Sequence, residues 1–152
     1  MTPHSITIGE RELPLNGLVL VCGNPRSGKT TFVKHVVDAA GFDNILRVTD
    51  PDGVTPQDDQ LVIAEDVDTW DTQTVVEFAR RFVRTQRPLI LSASDVKKFP
   101  MVLRDTAVAR VVLDSEQDTA FALVGRPGDI LVSNHTYLLC VDDVISAGRL
   151  PV

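Results

Sequence analysis

Residues 23 to 30 read Gly-Asn-Pro-Arg-Ser-Gly-Lys-Thr, and no other stretch of the chain limits its fold as strictly. An apolar run, Gly17-Leu18-Val19-Leu20-Val21-Cys22, leads into it, and a segment with apolar residues at three- and four-residue spacing leads out. The pattern G-x-x-x-x-G-K-[ST] between a strand and a helix is a phosphate-binding loop. Its backbone N–H groups curl around the phosphate oxygens while the helix aims its positive end at the same anion. The contact set is Gly23, Asn24, Pro25, Arg26, Ser27, Gly28, Lys29, Thr30 and Thr31. Lys29 is expected to reach the β- and γ-phosphates and Thr30 to offer its hydroxyl to Mg²⁺. Thr31 extends the first helical turn beneath the nucleotide.

Such a loop needs a parallel sheet behind it, and the rest of the chain supplies the pieces. Ser5 to Leu15 alternates polar with apolar around the turn Gly9-Glu10-Arg11-Glu12, predicting a hairpin that covers the sheet edge. Phe32, Val33, Val36, Val37 and Ala40 predict a helix that stops at Gly41, and Ile45 to Thr49 predicts the next strand, closed by the turn Asp50-Pro51-Asp52-Gly53. Further strands are predicted at Leu61 to Ala64, Pro88 to Ser94 and Ala109 to Leu113. A helix from Thr72 to Gln86, capped by Asp71, buries Val75, Phe78, Ala79, Phe82 and Val83. A shorter one begins at Val96, is interrupted or started afresh by Pro100 and continues through Met101, Leu103 and Arg104. Beyond it the pattern predicts a helix from Ser115 through Leu123, strands Asp129 to Val132 and Thr136 to Val141, and a short helix near Asp143 to Ala147.

At 152 residues the chain is expected to be one domain: a hairpin (1–16), a nucleotide-binding core (17–113) and a C-terminal part (114–152). No apolar run approaches the ~20 residues that cross a bilayer, so a cytoplasmic protein is expected. Cys22 and Cys140 lie among strand-forming residues and read as buried free thiols; His4, His35 and His135 are too scattered for a metal motif. The net charge of -6 is unevenly spread. Residues 48–79 hold nine of the 21 acids and no Lys or Arg, so the other 120 residues carry 12 acids against all 15 bases, which leaves room for a local basic surface. Arg80, Arg84 and Arg87, with Arg81 beside them, mark one face of the predicted helix, and Lys97-Lys98 is a weaker sign of a polyanion contact.

Leu61-Val62-Ile63-Ala64 ends in Glu65-Asp66, and an apolar strand that delivers carboxylates at its C-terminal end is what a Mg-nucleotide site requires. In this Walker B reading one of the two carboxylates binds a water on Mg²⁺ and its neighbour accepts the proton of the water attacking the γ-phosphate. Leu89-Ile90-Leu91-Ser92-Ala93-Ser94 closes on small hydroxyl residues, of which Ser94 or Ser92 is placed to orient water or sense the γ-phosphate.

Taken in order, these pieces resemble the FtsK/SpoIIIE branch of the FtsK/HerA P-loop ATPases over most of the chain. Ile6-Thr7-Ile8-Gly9 looks like that family's hairpin ahead of the loop, and Val48-Thr49-Asp50-Pro51 like its isoleucine-aspartate-proline strand end. Leu89 to Ser94 falls where the family has Leu-Ile-Leu-Ala-Thr-Gln, and Ala109 to Val112 with Gly125 to Leu131 is similar to its last strand and Gly-x-Gly-Asp turn. The resemblance implies a P-loop NTPase of the RecA-like, additional-strand (ASCE) type. Its fold class is α/β: a mainly parallel five-stranded core sheet, helices on both faces, and N- and C-terminal β-hairpins. It also implies ATP and Mg²⁺ as cofactors, hydrolysis of ATP to ADP and phosphate, and a homo-oligomeric ring, hexameric in the family's usual form, acting on double-stranded DNA. A related branch powers type VII secretion, which makes a protein partner the alternative, and a nucleotide-binding assembly or regulatory module with little hydrolysis is a further one. By resemblance Glu65 falls on the Mg-associated Asp and Asp66 on the catalytic Glu, an order reversed from the family's, and Ser94 stands where the family has glutamine. Arg84, Arg104 and Arg110 are all open as the arginine offered to a neighbouring subunit's nucleotide.

Overall fold

The structure is a computed structural model, and it describes residues 5–8, 11–24, 28–113, 136–142 and 144–149. Strands β1 (Ser5–Ile8) and β2 (Arg11–Pro14) precede β3 (Leu18–Gly23), and helix α1 (Lys29–Ala40) follows the phosphate loop. Then come β4 (Asn44–Arg47), β5 (Gln60–Ala64), α2 (Thr72–Thr85), β6 (Leu89–Ala93), α3 (Met101–Thr106), β7 (Ala109–Leu113), β8 (Thr136–Val141) and β9 (Val144–Arg149). Single 3₁₀ turns at Val67–Thr69 and Val96–Lys98 follow β5 and β6.

The main sheet has seven strands in the order β4-β5-β6-β3-β7-β8-β9, against the five expected. The first five are parallel and β8 and β9 add to β7 antiparallel, so the expectation accounts for the parallel part and undercounts the sheet. In the sheet β6 is inserted between β3 and β5, although it follows both in sequence, which separates the phosphate loop from the carboxylate-bearing strand by one strand.

Every residue of β3, β5 and β6 is buried, as a parallel sheet covered on both faces demands. Alternation divides them between two cores. Leu18, Leu20, Val62, Leu89 and Leu91 pack with Val75, Phe78, Ala79 and Phe82 of α2 and Leu103 of α3. Val19, Val21, Leu61, Ile63 and Ile90 pack with Phe32, Val33, Val36 and Ala40 of α1. At about 25 cal/mol per Å² of apolar surface, burying a ring such as Phe78 or Phe82 contributes roughly 2–3 kcal/mol each. Val83, expected on the buried face of α2, is only partly covered.

The N-terminal segment forms the expected hairpin, with Ile6 opposite Leu13 and Ile8 opposite Arg11, so that Arg11 and Glu12, expected in the turn, belong to β2; it is a sheet of its own, packed over the α1 face. The cause is its apolar side: Ile6, Ile8, Leu13 and Leu15 all bury in the α1 core. Its tie to the edge is Arg11, whose guanidinium donates to Val141 O (2.8 Å), Val144 O (3.0 Å) and Ser146 Oγ (3.2 Å).

The short helix expected at Asp143 to Ala147 is not formed: Val144–Arg149 is strand β9, the partner of β8. A two-residue connection turns the chain, with Asp142 at φ 53°, the left-handed region that tight hairpin turns need and that Asp tolerates. Gly148 faces Tyr137 so closely that a Cβ there would lie 2.3 Å from the ring, so glycine at this register position leaves the aromatic its room. The helix expected at Ser115 to Leu123, the strand at Asp129 to Val132 and the Gly125–Leu131 turn lie outside the described residues. No helix among the described residues is long and apolar enough to cross a membrane.

Candidate active site

The phosphate loop leaves β3 at Gly23 and re-enters regular structure at Gly28, whose φ of 99° admits glycine and few other residues. Gly28 is also the N-cap of α1. It has no side chain to offer, and the helix has no acidic residue in its first turn, so neither a cap nor a carboxylate competes for the anion that the amides of Lys29, Thr30 and Thr31 invite. Asp71 occupies the N-cap position of α2 without a side-chain hydrogen bond to it. Thr30 and Thr31 are exposed on the first turn of α1, and Pro25, Arg26 and Ser27 lie outside the described residues.

Lys29 is buried, at 8% exposure. Its Nζ donates to Gly23 O (2.8 Å), Asn24 O (3.0 Å) and Ser94 Oγ (3.2 Å). Lysine has three ammonium hydrogens, so these three acceptors satisfy it. The bond to Ser94 joins the loop after β3 to the end of β6.

The carboxylates fall on β5 and the residues after it. Glu65 Oε2 accepts from Arg47 Nη1 at 3.1 Å, across from the end of β4. Glu65 Oε1 is buried and has no hydrogen-bond partner among the described residues. A buried, unpaired carboxylate oxygen is costly, so the site calls for a donor or a cation there. Asp66 is exposed and left-handed, at φ 55°, with its N–H donating to Ser92 Oγ at 3.0 Å. The serine pair therefore divides its work: the buried Ser92 pins the backbone of Asp66, and Ser94 meets Lys29.

Two further residues belong here that the sequence reading did not single out. Arg47 is one, as the partner of Glu65. Asp68 is the other: its carboxylate accepts from Ser94 N at 3.0 Å through each oxygen and from Asp95 N at 2.9 Å. No spacing rule in the sequence relates residue 68 to residue 94; the link exists because β5 and β6 are neighbours. Cys22, one residue before the loop, donates its thiol weakly to Ser94 O at 3.8 Å. Burial pushes that thiol up to about 12, against the pull of Lys29 and with the help of Asp68 and Asp95, so it stays neutral and unreactive near pH 7.

These residues fit Mg-nucleotide. Among the described residues no group of three or more His, Cys, Asp or Glu could hold a metal by itself. Mg²⁺ characteristically takes one or two protein oxygens and completes its shell with phosphates and water. Thr30 and Glu65 are a donor set of that kind, and the unpaired Oε1 suits a metal-bound water. Size does not locate this chemistry: a cavity of about 670 Å³ lined by Asn16, Arg104, Asp105, Arg110 and Cys140 lies at the opposite ends of the strands.

Loop, helix and strand order define the class, the α/β fold of P-loop NTPases. No family model matches the chain, and no curated protein matches its sequence. Solved structures do match its shape. The genome packaging NTPase B204 of Sulfolobus turreted icosahedral virus 2, in complex with ATP-gammaS, is 12% identical with a TM-score of 0.65 over 92% of this chain and 100% of that one. The cytoplasmic domain of the Thermomonospora curvata type VII secretion ATPase EccC is 12% identical with a TM-score of 0.67, covering 93% of this chain and 28% of that one. The cytoplasmic domain of EssC is 10% identical with a TM-score of 0.54, over 97% and 42%. At such identities the likeness shows the fold.

Proposed function

We propose that this chain is a Mg-dependent ATP-binding domain of the additional-strand class that hydrolyses ATP and works as a homo-oligomer on double-stranded DNA, in the manner of FtsK-type motors. The observation that carries the reading is the Lys29 ammonium, buried at the mouth of an uncapped helix and bonded to Ser94 at the end of the strand between β3 and β5. Lys29 and the first amides of α1 hold the β- and γ-phosphates. Mg²⁺ when bound neutralises charge developing on the phosphoryl oxygens. Thr30 and Glu65 hold the metal, Glu65 through water, Asp66 takes the proton of the attacking water, and Ser94 orients that water or senses the γ-phosphate. Asp is one methylene shorter than Glu, and misplacing a base by ~1 Å costs about 10²-fold in rate, so slow turnover is expected.

The likeness to a DNA-packaging ATPase from an icosahedral virus supports DNA as the substrate. The net charge of -6 and the likeness to EccC favour a second reading in which the substrate is a polypeptide. Phosphate release measured across a titration of double-stranded DNA at low salt separates them. The first reading predicts stimulated turnover and a larger particle with ATP; turnover indifferent to DNA, with a protein partner recovered, supports the second.

A further inference from the structure

Ser94 is held at each of its polar groups by a different part of the site. Its N–H goes to Asp68, its carbonyl receives the Cys22 thiol, and its hydroxyl receives Lys29. The Asp68 contact is the strong one, because a carboxylate accepting backbone N–H groups forms charge-assisted bonds, about twice as strong as neutral ones. It also works with a return tie, Asp66 N–H to Ser92 Oγ, so the ends of β5 and β6 are laced in both directions. The third hydrogen of Lys29 therefore rests on a hydroxyl whose place is fixed by Asp68.

We infer that Asp68 is a positioning residue for the phosphate-loop lysine: by clamping the backbone of Ser94 and Asp95 it sets Ser94 Oγ as the exchangeable acceptor that Lys29 relinquishes when a phosphate arrives. This rests on the reading of Lys29 as the phosphate lysine. All three ammonium hydrogens already have acceptors, so an incoming phosphate oxygen must displace one. Ser94 Oγ is the most distant of the three, and it sits on a different loop from the other two. A charged phosphate oxygen outcompetes a neutral hydroxyl. Asp68 makes that exchange reversible by keeping Ser94 in register, where a free strand end would drift.

The test reads Lys29 directly and needs no nucleotide. Acetylation of Lys29 by a small amine-reactive reagent is followed by mass spectrometry in the nucleotide-free chain, with alkylation of the buried Cys140 as a monitor of general loosening. Ser94→Ala and Asp68→Ala are each expected to speed acetylation about five-fold, the worth of one net hydrogen bond, with Cys140 unchanged. The double variant should be no faster than Ser94→Ala alone, because both act through one contact. Effects that multiply in the double variant, or an Asp68→Ala rate equal to wild type, would overturn the inference, as would equal acceleration at Cys140. Should Asp68→Ala fail to fold, Asp68→Asn keeps one acceptor oxygen and is expected to give about a two-fold rise that vanishes in the Ser94→Ala background; a wild-type rate there overturns it equally. A separate arm adds Mg-ATP to the wild type. Protection of Lys29 supports the nucleotide reading, and its absence counts against that reading without touching the coupling of Asp68 to Ser94.

Discussion

At the C-terminal ends of β3, β5 and β6 a lysine and carboxylates from different loops converge and bond across them, whereas at the N-terminal ends the named side chains are arginines, each bonded to its own separate loop or strand. Lys29 meets Ser94, Asp68 meets the amides of Ser94 and Asp95, and Glu65 keeps one buried oxygen unpaired. At the other end Arg87 donates to Pro56 O and Asp58, and Arg104 donates to Phe99 O. Arg110 donates to Cys140 Sγ. Cavities of about 670 and 400 Å³ lie there as well. The lesson is directional. Parallel strands bring the loops that follow them, and the positive end of α1, to one edge, so that edge can answer a charged ligand, while arginines at the other edge serve to fasten loops.

The sharpest way to break this contrast is Lys29→Ala. It removes a charge-assisted donor set at the ligand-facing edge and is expected to weaken ATP binding by about 10²-fold or more, measured by equilibrium titration, with the melting temperature little changed. Glu65→Gln comes next. It keeps the size of the side chain and removes its charge, so phosphate release should fall roughly 10²-fold while ATP affinity stays within about three-fold. Equal losses in both would mean that Glu65 supports folding instead of chemistry.

Cys22 probes the seam between the site and the core. Its thiol is held near 12 by burial, against 9.0 for an ordinary thiol, and the neutral form is the one the fold keeps. Its contribution to stability is therefore complete below about pH 9 and is lost as pH rises from 9 toward 12, by at most about 1.4 kcal/mol per pH unit. Tyr137, raised by burial, adds a loss of the same sign above its ordinary 10.0. Urea unfolding at pH 8, 10 and 11 should show the decline, and Cys22→Ala should flatten it in part. The smallest effect belongs to the opposite edge. Arg87→Ala removes a bond to Pro56 O and an ion pair with the exposed Asp58, costing about 1 kcal/mol in urea unfolding, and ATP affinity should not move.

The ligand-facing edge was legible where the chemistry is local. Gly23 to Thr30 spell out their loop in consecutive residues, and the apolar runs of β3, β5 and β6 announce buried parallel strands without help from the rest of the chain. Glu65 and Ser94 stand out in the sequence for the same reason, each sitting at the end of such a run. Arg47 and Asp68 were not, because their partners are 18 and 26 residues away, and only the adjacency of strands brings them together. The C-terminal hairpin was misread for a related reason. Val144-Ile145 favours a strand, but Ser146-Ala147-Gly148 adds no apolar alternation of its own, and it is the pairing with β8, Gly148 opposite Tyr137, that carries the strand to Arg149. The second half of the seventh strand is thus a product of pairing.

Amide hydrogen exchange with and without Mg-ATP tests the difference between the two edges most directly. Slowed exchange at residues 28–31, 65–68 and 92–95, with residues 57–60 and 104–108 unaffected, is the predicted result; protection at the latter pair alone, or at neither edge, would contradict a nucleotide site at the C-terminal ends of these strands.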